Sequence, residues 1–188
     1  LLVDNAHGAH LAFLPWRCHP IQLGADYCCD SAHKMLSGLT GTAYLHVRSD
    51  IDVEPERVRD AMAMFGSTSP SYLMLASLDW CNRELASPLF RKQLEEVLDR
   101  IQQLKCRFSP RYCFVDGDPM HLTIDAAAGG FHGLELAAYL EQHEVFVEYA
   151  DAFHVVLLCS AANTDRDFDI LEQLLERFSP CLLYTSPS

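Results

Sequence analysis

Apolar and polar positions follow two regimes along this chain. From residue 1, short apolar runs bounded by turn-forming residues predict buried strands over Leu1–Val3, Ala25–Cys29 and Thr42–Val47. Between the first two, residues 9–20 read as a loop broken by Pro15 and Pro20. Pro55 opens a helix over Glu56–Phe65, with Arg57, Arg59 and Asp60 on its solvated face. The next helix runs through Tyr72–Asn82, with Ser69 as its cap and Pro70 at its first position. A long amphipathic helix over Leu89–Phe108 places Leu94, Val97, Leu98, Ile101 and Leu104 on one stripe. Beyond Arg111 the pattern changes. Strands over His121–Asp125, Val145–Glu148 and His154–Cys159 alternate with helices over Gly133–His143 and Asp165–Phe178, which predicts a small α+β domain.

The chemistry concentrates where the first strands end. The first runs into Asp4-Asn5-Ala6-His7-Gly8, and the second into Asp30-Ser31-Ala32-His33-Lys34. A lone lysine is ordinarily a solvated surface residue. Lys34, however, follows an apolar strand and precedes a Gly-containing turn. That placement predicts poor solvation, which favours the neutral amine and makes Schiff-base formation with a carbonyl accessible. Asp4 can hold a protonated pyridine nitrogen, Ala6 can lie flat under an aromatic ring, and His7 can hydrogen-bond a phenolic oxygen. A lysine and an acidic pyridinium partner are what pyridoxal 5'-phosphate asks of a protein.

D-x-A-H-G followed by S-x-H-K resembles the fold-type-I pyridoxal-phosphate enzymes, and most closely the Orn/Lys/Arg decarboxylase family. The likeness continues through residues 39–47 and 67–79, and more loosely to about Phe178. Asn5 departs from the pattern, since an acidic residue is usual there. The resemblance implies an α/β fold: residues 1–108 as the C-terminal part of a large, mostly parallel cofactor-binding domain, and 109–180 as a small α+β domain. It implies an amino acid substrate, a basic one such as ornithine, lysine or arginine, decarboxylated through a Lys34 aldimine. Asp4 would keep the pyridine protonated, and Lys34 or His33 would protonate the α-carbon. Ser31 and His33 would contact the cofactor phosphate and His7 the phenolic oxygen, while Thr68 and Ser69 would reach the phosphate of a partner subunit in a homodimer or higher homo-oligomer. The resemblance also implies an absent N-terminal portion carrying the rest of the site, so that the chain alone would be inactive. An aminotransferase or acyl-transferring synthase on the same fold is the neighbouring alternative; a non-catalytic scaffold subunit is the alternative from another class.

Composition narrows the partners. A net charge of −12 argues against a nucleic-acid surface. No apolar run is long enough to span a bilayer. Eight cysteines without any C-x-x-C spacing predict reduced thiols in a cytoplasmic protein rather than a zinc site. Cys28 and Cys29 are expected on opposite faces of one strand. His10 and His19 read as ordinary loop residues or as supports standing behind a site, and His121, His132, His143 and His154 as unrelated surface or core residues. Residues 181–188 match nothing in the family pattern and read as a non-native tail.

Overall fold

The computed structural model describes residues 1–67 and 69–179. The expected role of Thr68 and the tail at 181–188 lie outside them. The chain forms two compact units that divide at Arg91/Lys92, inside a helix. The sequence pattern puts the boundary at the end of that same helix, after Phe108.

The first unit is built on a three-stranded sheet in the order β1-β2-β3, with β1 Leu2–Asp4, β2 Tyr27–Ser31 and β3 Ala43–Val47. β1 and β2 run parallel, with Asp4 opposite Cys29. β2 and β3 run antiparallel, with Asp30 opposite Tyr44. The sheet is therefore mixed, where the resemblance implies a mostly parallel one. The strand period of two sorts the side chains of β2. Cys28 and Asp30 are buried on one face, while Cys29 on the other is exposed. That outer face borders an apolar groove completed by Val53, Val58, Ala61, Met62 and Phe65.

Several local expectations shift here. Residues 9–13 form a 3-10 helix with Ala9 and His10 buried, not open loop. β2 extends two residues further than its apolar run, through Asp30 and Ser31. A four-residue helix, α1 Ala32–Met35, follows at once. α2 is Pro55–Ala63, with no buried residue. α3 is Tyr72–Leu85 and its N-cap is Ser71 rather than Ser69. The Pro70 ring does not sit at the first helical position, because the chain stays extended for one more residue before turning.

The second unit carries a four-stranded antiparallel sheet in the order β4-β5-β7-β6: β4 Cys113–Val115, β5 His121–Asp125, β6 Tyr149–Ala150 and β7 His154–Leu158. β4 has no counterpart among the strands expected from sequence. The strand expected over Val145–Glu148 is displaced to Tyr149–Ala150, although the Glu148 N–H already donates to the Val156 carbonyl at 2.9 Å. Three helices accompany the sheet: α4 Pro88–Phe108, α5 Gly133–Gln142 and α6 Asp165–Arg177. The α4 stripe is realised as Leu94, Val97, Ile101, Leu104 and Phe108, all buried with Leu122, Ile124, Leu140, Val155 and Leu175. Thr164 and Asp167 close a reciprocal capping box at the start of α6. No helix is long and apolar enough to cross a membrane, among the described residues.

Candidate active site

The two sequence motifs meet at the ends of neighbouring parallel strands. β1 ends at Asp4, which is exposed. The chain then turns tightly, the Gly8 N–H donating to the Asn5 carbonyl at 2.8 Å. A Cβ on Gly8 would stand 2.1 Å from the Asn5 side-chain oxygen, so a larger residue there would have to push the Asn5 amide aside. The turn presents His7.

On the adjacent strand, Ser31 caps α1, and the following helical turn divides its side chains. Ala32 and Met35 point into the core, whereas His33 and Lys34 face away from it. This corrects the expectation that Lys34 is poorly solvated: it is exposed. The average hydropathy of its neighbours is apolar, but the one-and-three spacing of the helical turn puts the lysine on the outer side. The Thr42 carbonyl anchors this turn, accepting the Ala32 N–H at 3.0 Å and standing 3.0 Å from His33 Nδ1. With Nδ1 donating there, Nε2 of His33 is left to act on something else.

Lys34 Nζ lies 3.0 Å from His7 Nε2. This contact joins the two motifs. Ala6, in the same turn as His7, is half-buried, as is Ser31. Ser69 lies in an exposed turn, its N–H on the Ser67 hydroxyl at 3.1 Å.

Asn5 and Asp30, one from each motif, also belong to a polar cluster whose other members the motifs do not announce. Asp30 is 2% exposed. His19 Nε2 and His46 Nε2 each approach its Oδ2 at 2.9 Å. Asn5 donates its side-chain amide to Oδ1 at 2.8 Å, and the Cys28 thiol approaches the same oxygen at 3.4 Å. Burial pushes the Asp30 carboxyl upward, but hydrogen bonds from His19, His46 and Asn5 outweigh it and hold the group well below the usual carboxylate range. Burial, with the Asp30 charge beside it, pushes the Cys28 thiol up to about 12. His19 is thus a buried member of a polar cluster, which matches the supporting alternative read from the sequence rather than the plain loop one. A signal for it exists in the sequence: an aspartate inside an apolar strand needs hydrogen-bond donors when it is buried.

His19, Asp30 and His46 also place one ligand atom each within 4.8 Å of the others, the spacing of a metal site. The hydrogen bonding speaks against that use. The Ile21 N–H donates to His19 Nδ1 at 3.3 Å, which leaves the ring proton on Nε2, directed at Asp30. A metal ligand would need that nitrogen bare.

Residues 1–116 match the family described as Orn/Lys/Arg decarboxylase, major domain. The chain belongs to the Orn/Lys/Arg decarboxylase family. Among curated relatives it is 34% identical to the uncharacterized protein YaaO of Bacillus subtilis over 168 residues, 84% of this chain and 35% of YaaO. It is 31% identical over 195 residues to the arginine decarboxylase of Halalkalibacterium halodurans, 95% of this chain and 39% of that protein. The chain thus spans less than two-fifths of the length of either relative. Among solved structures, lysine decarboxylase A from Pseudomonas aeruginosa superposes with a TM-score of 0.77 at 19% identity, over 94% of this chain and 32% of that one. That likeness concerns the mixed α/β fold. The family match covers both motifs of the Orn/Lys/Arg decarboxylase chain, from Asp4 through Lys34 and on to Tyr72.

Proposed function

We propose that this chain forms part of a pyridoxal-phosphate-dependent amino acid decarboxylase acting on a basic substrate such as arginine, lysine or ornithine. The observation that carries the reading is the 3.0 Å contact between Lys34 Nζ and His7 Nε2, which brings the two family motifs to one place. The names of the relatives point in the same direction.

The donor set fits the cofactor. An exposed primary amine stands in the helical turn after β2, with an imidazole against it and an exposed aspartate at the end of neighbouring β1. Lys34 would hold the cofactor covalently through its ε-amine and yield it to the substrate amine. Asp4 would keep a proton on the pyridine nitrogen, and His7 would hydrogen-bond the phenolic oxygen. Ser31 and His33 would bind the phosphate, with Thr68 and Ser69 reaching that of a partner subunit. When bound, the cofactor supplies an acceptor for the electron pair released as the substrate carboxylate departs. Lys34 or His33, the latter oriented through its Nδ1 contact with Thr42, would then return a proton to the α-carbon.

Borohydride trapping of the whole protein tests this. The cofactor should be fixed on the peptide containing Ser31–Lys34 and not on Lys92 or Lys105. Lys34→Ala should abolish the visible absorbance, and Lys34→Arg should fail to restore it, because a guanidinium stays protonated. Label on Lys92 or Lys105, or visible absorbance surviving in Lys34→Ala, would overturn the assignment.

A further inference from the structure

The turn that carries His7 is tied to β2 twice at Asn5: its backbone N–H donates to the Cys29 carbonyl at 2.9 Å, and its side chain reaches Asp30. Three observations converge on Asn5. Its side-chain amide donates to the buried Asp30 carboxylate at 2.8 Å. Its backbone carbonyl closes the turn by accepting the Gly8 N–H. Its side-chain oxygen occupies the space that a Cβ at residue 8 would need. Asp30, for its part, is fixed from two other segments, by His19 and by His46 on β3. Asn5 stands two residues before His7, and Asp30 four residues before Lys34.

We propose that Asn5 and Asp30 are positioning residues: a polar clasp that sets the His7 turn of β1 against the Lys34 turn of β2. The role extends the proposed active site, since it concerns how that site's two motifs are held in register. The polarity of the clasp is fixed. The carboxylate at position 30 already accepts two imidazole N–H groups, so residue 5 must donate to it. A carboxylate at position 5 would face Asp30 with like charge. This gives the departure at Asn5 a physical reason.

The clasp also predicts an exchange. In the double variant Asn5→Asp/Asp30→Asn, the amide oxygen at position 30 can accept from His19 and His46. The amide nitrogen there can then donate to the carboxylate introduced at position 5. The direction of the hydrogen bond reverses and the contact persists.

The test reads Lys34 in the cofactor-free whole protein, by trace acylation with acetic anhydride and mass spectrometry against Lys92 and Lys105. If the clasp acts through His7, Asn5→Ala shifts the Lys34:Lys92 labelling ratio in the same direction as His7→Ala and by a similar factor. The double variant Asn5→Ala/His7→Ala then shows no further change. Asn5→Asp should move the ratio likewise, and Asn5→Asp/Asp30→Asn should return it to within about twofold of the wild type, where single Asp30 variants risk losing the fold. The proposal is overturned if His7→Ala leaves Lys34 labelling unchanged, if the Asn5 and His7 effects add, or if the exchange variant labels like Asn5→Asp. Because no cofactor is present, these outcomes are independent of borohydride trapping. Trapping on another lysine would remove the proposed function while leaving the clasp intact.

Discussion

The amine of Lys34 and the imidazole of His7 lie 3.0 Å apart, although 27 residues separate them in the chain. Neither belongs to a long element: one sits in a single helical turn and the other in a tight turn after a three-residue strand. Their meeting depends on the parallel pairing of β1 with β2, which brings the two strand ends to the same edge of the sheet.

Asp4 occupies that edge. In the cofactor-loaded whole protein, Asp4→Asn should retain the visible absorbance of the bound cofactor but lose most turnover, because a neutral amide no longer favours the protonated pyridine. One pKa unit is worth about 1.4 kcal/mol, so a drop of several units would slow turnover on the order of a thousandfold. Steady-state kinetics alongside absorbance spectra check both halves; near-normal turnover would place the pyridine partner elsewhere.

Asp30 governs acid stability. Its carboxyl is depressed in the folded state, so its contribution is fully present above the unfolded value of about 3.9 and is lost as pH falls through the lower folded value. Removing this acceptor leaves the buried His19 and Asn5 donors unsatisfied, at a cost of about 1–3 kcal/mol. Asp30→Ala should therefore be less stable than the wild type by about that amount at pH 7 and at pH 5, with the gap narrowing only below about pH 4. Denaturant titrations at the three pH values measure it.

Thiol alkylation should split the cysteines by face. Cys29, Cys106 and Cys113 are exposed and should react in the native protein; Cys28, Cys81 and Cys159 are buried and should be spared until it unfolds. Burial also pushes the Cys159 thiol up to about 12, which suppresses its thiolate. Mass spectrometry after iodoacetamide treatment distinguishes adjacent Cys28 from Cys29. Modification of Cys28 at the rate of Cys29 would contradict the placement of β2.

Gly133 opens α5 against the chain leading into β7. An added Cβ would stand 2.3 Å from the Asp151 carbonyl oxygen and 2.9 Å from that of His154, both backbone atoms that cannot rotate away. Gly133→Ala should destabilise the protein by about 1–3 kcal/mol, readable as a lower midpoint in thermal unfolding.

Elements with a strong period are legible in the sequence. The α4 stripe, the alternation of His121–Asp125 and the opposite facing of Cys28 and Cys29 all follow from geometry internal to one element. What is not legible depends on contacts between segments. β4 and β6 are three and two residues long, too short to print a pattern of their own, and are held by pairing to β5 and β7. The exposure of Lys34 turns on one helical turn that average hydropathy does not resolve. The residues of the candidate site are readable as motifs, but the cluster of Asn5, His19, Asp30 and His46 is not, because its members are drawn from four segments.

The alternation of β2 has a consequence for how the chain finds its fold. If β2 slipped by one residue against its neighbours, Asp30 would turn toward Tyr27's side of the sheet and the apolar groove lined by Leu45, Val58 and Met62. No donor from His19 or His46 could follow it there. A misaligned sheet would thus leave the donors of His19 and Asn5 without their buried acceptor. The buried charge therefore acts as a key for strand alignment, penalising the near-miss pairings that an all-apolar β2 would tolerate.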